Sequence, residues 1–184
     1  AKTLGCFGDG GIVLTNDDNI YNVIKLMRDH GRGEDGNVSI WGFNSRLDNL
    51  QAAILNFFFQ DYDKTVNRRR GVADLYHEEL KDINELALPP ATNSNNNHFD
   101  IYQNYEIEAE RRDELKSFLS DNGIGTLIQW GGKAVHEFKD LGFTQSLPIT
   151  EKIMRDSLML PLNMTVTDVE IKYICKCIRS FYHN

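Results

Sequence analysis

Apolar residues return every three to four positions over residues 20–27, so that Ile20, Val23, Ile24 and Met27 share one face of a helix. Thr15, Asn16, Asp17 and Asp18 ahead of them offer capping oxygens, and Gly31 stands where a C-terminal cap is expected. The preceding Ile12-Val13-Leu14 predicts a short strand. A loop rich in glycine and charge occupies 31–36. Leu47, Leu50, Ala53, Ile54 and Phe57 then open a long apolar helix, capped by Ser45 or Asp48 and running to Leu80. At that length a bend is expected near 61–63 or at Gly71.

Pro89-Pro90 and the Asn-rich tract to His98 mark a boundary, after which the pattern becomes α+β. Strands are predicted over 102–107 and 125–130, with a helix over 111–122 stopped by Gly123. Another helix is expected over 150–158, Pro161 breaks the chain, and Thr167-x-x-Glu170 is a capping box opening a final helix to Phe181.

Composition narrows the function classes. With 184 residues, 41% hydrophobic and 26% charged, the chain has the balance of one or two globular cores. A formal charge of −7 gives nucleic acid or an anionic membrane no general electrostatic pull. Apolar stretches such as 52–59 are far shorter than a membrane span, and no signal segment opens the chain, so a soluble cytoplasmic protein is expected. Cys6, Cys175 and Cys177 suit a reducing compartment, the last two pointing to different helix faces, and no set of side chains at metal-ligand spacing is present. Three adjacent rings, Phe57-Phe58-Phe59, read as core or dimer surface, and Arg68-Arg69-Arg70 as a solvated or interdomain face rather than a nucleic-acid patch.

Chemistry concentrates at the start. Lys2 precedes four glycines within 5–11, a run that implies close backbone approach to something. The plain alternative is a surface lysine beside a glycine turn. Gly8-x-Gly10 lacks the third glycine of a dinucleotide fingerprint, and no Gly-Lys-Ser/Thr follows as in a P-loop.

The order Lys-Thr-Leu-Gly-x-Phe-Gly-Asp-Gly-Gly, strand, helix ending Arg28-Asp29-His30-Gly31, then Gly42-Phe43-Asn44-Ser45-Arg46-Leu47-Asp48-x-x-Gln51-Ala52-Ala53, resembles the DegT/DnrJ/EryC1/StrS family of pyridoxal-phosphate-dependent sugar aminotransferases. The resemblance extends through Gly123-Ile124-Gly125-Thr126 to Leu160-Pro161-Leu162-Asn163 and covers the later half of the family's usual chain. It implies an α/β fold. Residues 1–60 would end a large cofactor-binding domain with a mostly parallel sheet, 61–84 would bridge, and 85–184 would form a small α+β domain. It implies that Lys2 bonds covalently to pyridoxal 5'-phosphate and then shuttles a proton, and that Asn44 reaches the cofactor phosphate of a neighbouring subunit in a homodimer. Read from the residues alone, Asn44 merely turns the chain before the next helix, and Arg46 and Asp48 form an ion pair bracing that turn.

The implied reaction moves an amino group from L-glutamate to a nucleotide-linked keto-6-deoxy sugar, dTDP being the nucleotide expected, for amino-sugar or polysaccharide biosynthesis. Where many members have His-Tyr-Pro this chain has Gln129-Trp130-Gly131, and Gln103 replaces a histidine two residues before Tyr105. Those changes suit a 3-keto rather than a 4-keto branch. Trp130, Lys133 and His136 are candidate substrate contacts, by stacking, by charge toward a diphosphate and by hydrogen bonding; the plain alternative is a buried Trp, a solvated Lys and a helix-face His. No acidic partner for the pyridine nitrogen and no stacking ring is found in matching positions, so the chain is expected to be the later part of a longer enzyme, weak in cofactor binding by itself. Three alternatives stay open: a non-catalytic dimerisation or ligand-binding module of this fold, a sugar dehydratase, against which Lys2 speaks, and a nucleotide-binding domain using 8–11 alone.

Overall fold

The computed structural model describes residues 2–94 and 97–183, which fall into two compact units divided between 62 and 63. The first unit holds helices α1 (Asp18–Met27) and α2 (Asn49–Phe59). The second holds α3 (Tyr62–Leu80, all but its first residue), β1 (Leu86–Ala87), β2 (Tyr105–Ala109), α4 (Arg112–Asp121), three single 3-10 turns over 129–141, α5 (Pro148–Asp156), β3 (Ser157–Leu160) and α6 (Asp168–His183).

The helix ends follow local chemistry. Asp17 Oδ1 accepts from the backbone N–H groups of Asn19 (2.8 Å) and Ile20 (3.3 Å), satisfying two donors that α1 leaves open. The long helix breaks at Gln60 and Asp61, within a residue of the expected bend, whereas Gly71 is passed without interruption. At α6 the capping box is formed: Thr167 Oγ1 accepts from Glu170 N (3.3 Å), and Glu170 Oε2 accepts from Thr167 N (2.7 Å). Thr167→Ala should lower the midpoint of thermal unfolding by roughly 2–4 °C, the size of one lost cap in a domain of this length, as read by circular dichroism.

The sheet is antiparallel, in the order β1-β2-β3. Tyr105, Ile107 and Ala109 of β2 alternate with Glu106 and Glu108, so one face is apolar. Against that face an apolar core gathers Tyr76 and Leu80 from α3, Leu115 and Leu119 from α4, Leu158 and Leu160 from β3, and Ile171, Cys175 and Ile178 from α6. Tyr76 and Tyr105 stack with ring centroids 4.8 Å apart. Cys175 and Cys177 are both buried, although helix spacing suggested different faces, and burial pushes the Cys175 thiol up to about 12.

Four expected elements differ, the first being the strand expected over 102–107, which runs over Tyr105–Ala109 because Tyr102 takes φ 47°. Residues 12–14 form no strand: Ile12, Val13 and Leu14 are 82%, 64% and 83% exposed, and a strand needs a second edge for its ladder. The strand expected over 125–130 is reduced to a single bridge between Leu127 and Met159, because Trp130, Gly131 and Gly132 all take positive φ and turn the chain. The helix expected to reach residue 158 ends at Asp156. Ser157 is already extended, its hydroxyl bonds the Ile153 carbonyl (2.6 Å), and 157–160 pair with β2 instead.

The triple arginine is only partly solvated: Arg69 is buried, Arg68 and Arg70 are half-buried, and all three are hydrogen-bonded. Successive helix positions point about 100° apart, and the three guanidinium groups bind two loops, Arg68 the one before α6 and Arg69 and Arg70 separate stretches of the one between β1 and β2. Arg68 meets the Val166 carbonyl and Asp168 (both 2.6 Å), Arg69 the carbonyls of Tyr102 (2.9 Å) and Gln103 (3.0 Å), and Arg70 those of Asp100 (2.6 Å) and Thr92 (3.0 Å). Carbonyl bonding of this kind satisfies loop backbone that no strand ladder reaches.

Candidate functional site

In the first unit the site is built by backbone meeting backbone. Gly31 takes φ 74° at the end of α1, and a methyl group placed there would lie 1.7 Å from the carbonyl oxygen of Ile40. Gly42 is as tightly met: a methyl group would lie 2.2 Å from Gly31 N. This mutual absence of side chains lets segment 39–45 run against the helix end. Ser39 N bonds Gly31 O (3.0 Å), Phe43 N bonds Met27 O (2.7 Å), His30 N bonds Phe43 O (2.8 Å) and Ser45 N bonds Arg28 O (2.9 Å). Asn44 sits in the middle of that register, bridged to Asp29.

The side chain of Asn44 is oriented as well as placed. Arg46 Nε donates to its Oδ1 (3.1 Å), and since arginine has no acceptor, the amide must turn its oxygen to Arg46 and leave its N–H2 facing away. Arg46 in turn faces Asp29 Oδ1 at 3.3 Å, a charge pair rather than an aligned hydrogen bond. The expected Arg46–Asp48 pair is therefore replaced by Arg46–Asp29, because Asp29 is delivered by the end of α1. A hydrogen bond from Arg32 (3.0 Å), with the charges of Arg32 and Arg46 adding, holds the Asp29 carboxyl below its ordinary value against a desolvation that raises it.

Lys2 is exposed at the head of the glycine loop. A methyl group at Gly5 would lie 3.5 Å from Lys2 N, so the first residues fold back in a tight turn, and the Cys6 thiol donates to Gly8 O (3.2 Å). The loop is tied to α2 by a residue that sequence reasoning passed over as part of a motif. Gln51 Oε1 accepts from Phe7 N (2.8 Å), and Gln51 Nε2 donates to Phe7 O. Beyond the loop, an open cleft of ≈ 930 Å³ is lined by Gly10, Gly11, Tyr21, Arg28 and Arg46 among others, with Lys2 and Asn44 outside its lining. No hydrogen bond or ion pair joins Lys2 to Asn44 among the described residues. Chemically, the unit presents an amine able to attack a carbonyl and an outward amide donor suited to an oxyanion.

Trp130, Lys133 and His136 lie in the second unit. Trp130 is 78% exposed with φ 49°, and Lys133 is exposed. His136 is only 7% exposed and its Nε2 lies 3.1 Å from Glu151 Oε1. Glu151, missed from the sequence because its partners lie 4 to 15 residues away, also accepts from Leu147 N (2.7 Å) and the Ser146 hydroxyl (3.2 Å). The Leu147 amide first, then His136, hold its carboxyl below the ordinary 4.5. A carboxyl lowered by folding stabilises above its unfolded value, and that contribution is lost as pH falls through the lowered folded value. Wild type should thus melt above Glu151→Gln by a constant margin at neutral pH, and the margin should shrink below the ordinary 4.5 when melting is followed in acid.

Phe57, Phe58 and Phe59 are exposed, and no residue of α2 is buried. None of the helices is long and apolar enough to cross a membrane, among the described residues.

Comparison with known proteins places these features. The profile of the DegT/DnrJ/EryC1/StrS aminotransferase family matches residues 1–179. A pleiotropic regulatory protein of Geobacillus stearothermophilus is 33% identical over 188 residues, covering 100% of this chain and 50% of its own length. A dTDP-3-amino-3,4,6-trideoxy-alpha-D-glucose transaminase of Micromonospora megalomicea is 35% identical over 169 residues, covering 88% of this chain and 44% of the relative. Among solved structures, DesV of S. venezuelae in complex with a ketimine intermediate superposes with a TM-score of 0.91 at 30% identity, over 99% of this chain and 49% of that one. The chain thus spans about half the length of the relatives it matches, and it has the mixed α/β fold with a small antiparallel sheet found in the C-terminal half of such aminotransferases.

Proposed function

The chain belongs to the DegT/DnrJ/EryC1/StrS aminotransferase family, and from that premise we propose that it serves in pyridoxal-phosphate-dependent transfer of an amino group from L-glutamate to a nucleotide-linked keto-sugar. The observation that carries the reading is the exposed amine of Lys2 at the head of a glycine loop that side-chain bonds hold in place. The transaminases named for dTDP-linked 3-amino sugars among the relatives support dTDP and a 3-keto-6-deoxy sugar as the acceptor.

The residues present fit the cofactor. An exposed primary amine is the group its aldehyde requires, and the outward N–H2 of Asn44, with its oxygen occupied by Arg46, is a donor that adds no charge beside a phosphate. Pyridoxal phosphate, when bound, supplies the electron-withdrawing ring and the aldehyde carbon on which an amino group is carried. Lys2 Nζ would be the group that holds the cofactor's aldehyde carbon, and as a free amine it would serve as general base and then acid for the proton at the donor's α-carbon. Residues 1–60 then act as the end of the cofactor-binding domain, and Asn44 serves the phosphate of a second subunit in a homodimer. Trp130 and Lys133, both exposed, are assigned to the substrate's ring and diphosphate. His136, buried and occupied by Glu151, is assigned to holding its loop instead of a substrate hydroxyl.

The test is direct. Full-length protein mixed with pyridoxal phosphate should turn yellow, borohydride should fix the cofactor to the peptide containing Lys2, and L-glutamate added first should discharge the colour. A protein that stays colourless is the non-catalytic module, and one that binds nucleotide tightly while ignoring the vitamin is the nucleotide-binding domain.

A further inference from the structure

Besides the contact of the Phe7 ring with Phe58 (centroids 6.1 Å), the glycine loop has a polar attachment to α2 that nothing in its own sequence supplies. Residues 2–11 form no strand or helix, so their backbone groups have no ladder to set the path of the chain. Gln51, on the first turn of α2, meets Phe7 with both ends of its amide: the oxygen takes the Phe7 N–H at 2.8 Å, and the nitrogen gives to the Phe7 carbonyl. This is the two-point pairing that a neighbouring strand residue would make, supplied by a side chain 44 positions away. Only an uncharged amide has a donor and an acceptor at that spacing. The turn beyond Phe7 adds to the grip. Gly8 takes φ 117°, and a methyl group there would lie 3.6 Å from Gln51 Nε2, so the amide is seated against the loop backbone. On the other side of Phe7, the Cys6 thiol binds Gly8 O at 3.2 Å and the turn at Gly5 leads back to Lys2.

We propose that Gln51 is a positioning residue for Lys2: its two-point bond to Phe7 fixes the loop from which the reactive amine projects. The proposal rests on the reading of Lys2 as the amine that captures pyridoxal phosphate. An amine on an unrestrained loop samples many positions, whereas one that must bond to a bound aldehyde and then reach an α-carbon has to be held within about 0.5 Å. Removing the amide therefore acts on Lys2 through backbone freedom and leaves the amine's own chemistry untouched.

The experiment compares full-length wild type with Gln51→Ala and Gln51→Glu by two measurements. Amide hydrogen exchange of residues 6–11 reads the clamp without any cofactor. Borohydride trapping with pyridoxal phosphate, quantified by peptide mass at Lys2 relative to the exposed Lys172 on α6, reads the amine. In Gln51→Ala the Phe7 amide should exchange roughly tenfold faster and the rate of adduct formation at Lys2 should fall roughly tenfold, about the net worth of one hydrogen bond, with Lys172 unchanged. Gln51→Glu keeps the acceptor and loses the donor, so it should restore Phe7 protection in large part and recover part of the Lys2 rate. Thermal unfolding identifies a variant that has lost its fold, and the Glu variant then carries the comparison. Equal trapping at Lys2 in all three proteins overturns the proposal, as does rapid exchange at Phe7 in wild type. Loss of protection with trapping unchanged also overturns it, showing a brace that does not position the amine. Absence of any Lys2 adduct in wild type instead removes the underlying reading of Lys2, with the exchange result standing apart.

Discussion

Lys2→Ala should leave the full-length protein unable to retain pyridoxal phosphate through borohydride treatment, and the proposed amino transfer should fall by about 10²–10⁴-fold or more. Two roles are lost together. Without the amine no side chain of this loop can capture the aldehyde, and the general base for the donor's α-carbon is gone as well. Lys2→Arg makes the same loss while keeping the positive charge, because a guanidinium stays protonated and does not attack a carbonyl at neutral pH. Two readouts check this: visible absorbance after incubation with the cofactor, and single-turnover release of 2-oxoglutarate from L-glutamate. If Lys2→Ala kept its colour through reduction or turned over at the wild-type rate, the covalent anchor would lie elsewhere.

Gly31→Ala is expected to be the most destabilising single change in the first unit, by roughly 3–5 kcal/mol. The positive φ of 74° alone costs an alanine roughly 1–2 kcal/mol. The larger part is steric. A methyl group 1.7 Å from the Ile40 carbonyl oxygen cannot be relieved by turning a side chain, since both partners are backbone and the segment from 39 to 45 is bonded back to α1 at four points. That segment must separate from the helix end, and Asn44 and Arg46 go with it. Gly36→Ala is the control: it also has positive φ, 82°, but nothing stands within 4 Å of its added methyl, so only the conformational cost remains. Denaturant unfolding of the pair separates strain from collision. Hydrogen exchange should show the loss in residues 18–45 and leave the amides of the α4–α6 core as slow as before. Equal stability of the two variants would mean that the close approach at Ile40 contributes nothing.

These two variants draw on different levels of information. The family was legible as a string, through the order of the lysine, the glycine loop and the Asn44 segment, and with it the proposal that Lys2 and Asn44 hold the cofactor. So were the caps at Asp17 and Thr167 and the break beside Asp61, each a matter of groups three or four residues apart. The alternation of β2 was legible too, since period two is a local property of extended chain. What the string did not show is which distant group each side chain meets.

Arg46 illustrates the gap. By adjacency its partner was Asp48; in the folded chain it is Asp29, brought up by a helix end that can approach only because positions 31 and 42 carry no side chain. The fate of 157–160 was likewise decided at a distance. Residues 157 and 158 continue a helix by local pattern, and with 159 and 160 they become a strand because β2 offers an unpaired edge in register. Residues 12–14 show the converse: β-forming by composition, they meet no edge within the described residues and form no strand.

From the amino-acid order alone came the family, the proposal that Lys2 is the reactive amine, and most helix starts and stops, which rest on a motif string or on bonded neighbours. Only the tertiary structure decided that Gln51 holds Phe7, that three consecutive arginines bind two distant loops, and that His136 is committed to Glu151. Those pairings join groups up to 100 positions apart. Hydrogen-bond energies are too similar from one polar partner to another for residue type to select among them, and the choice falls to whichever groups the packed backbone brings within reach.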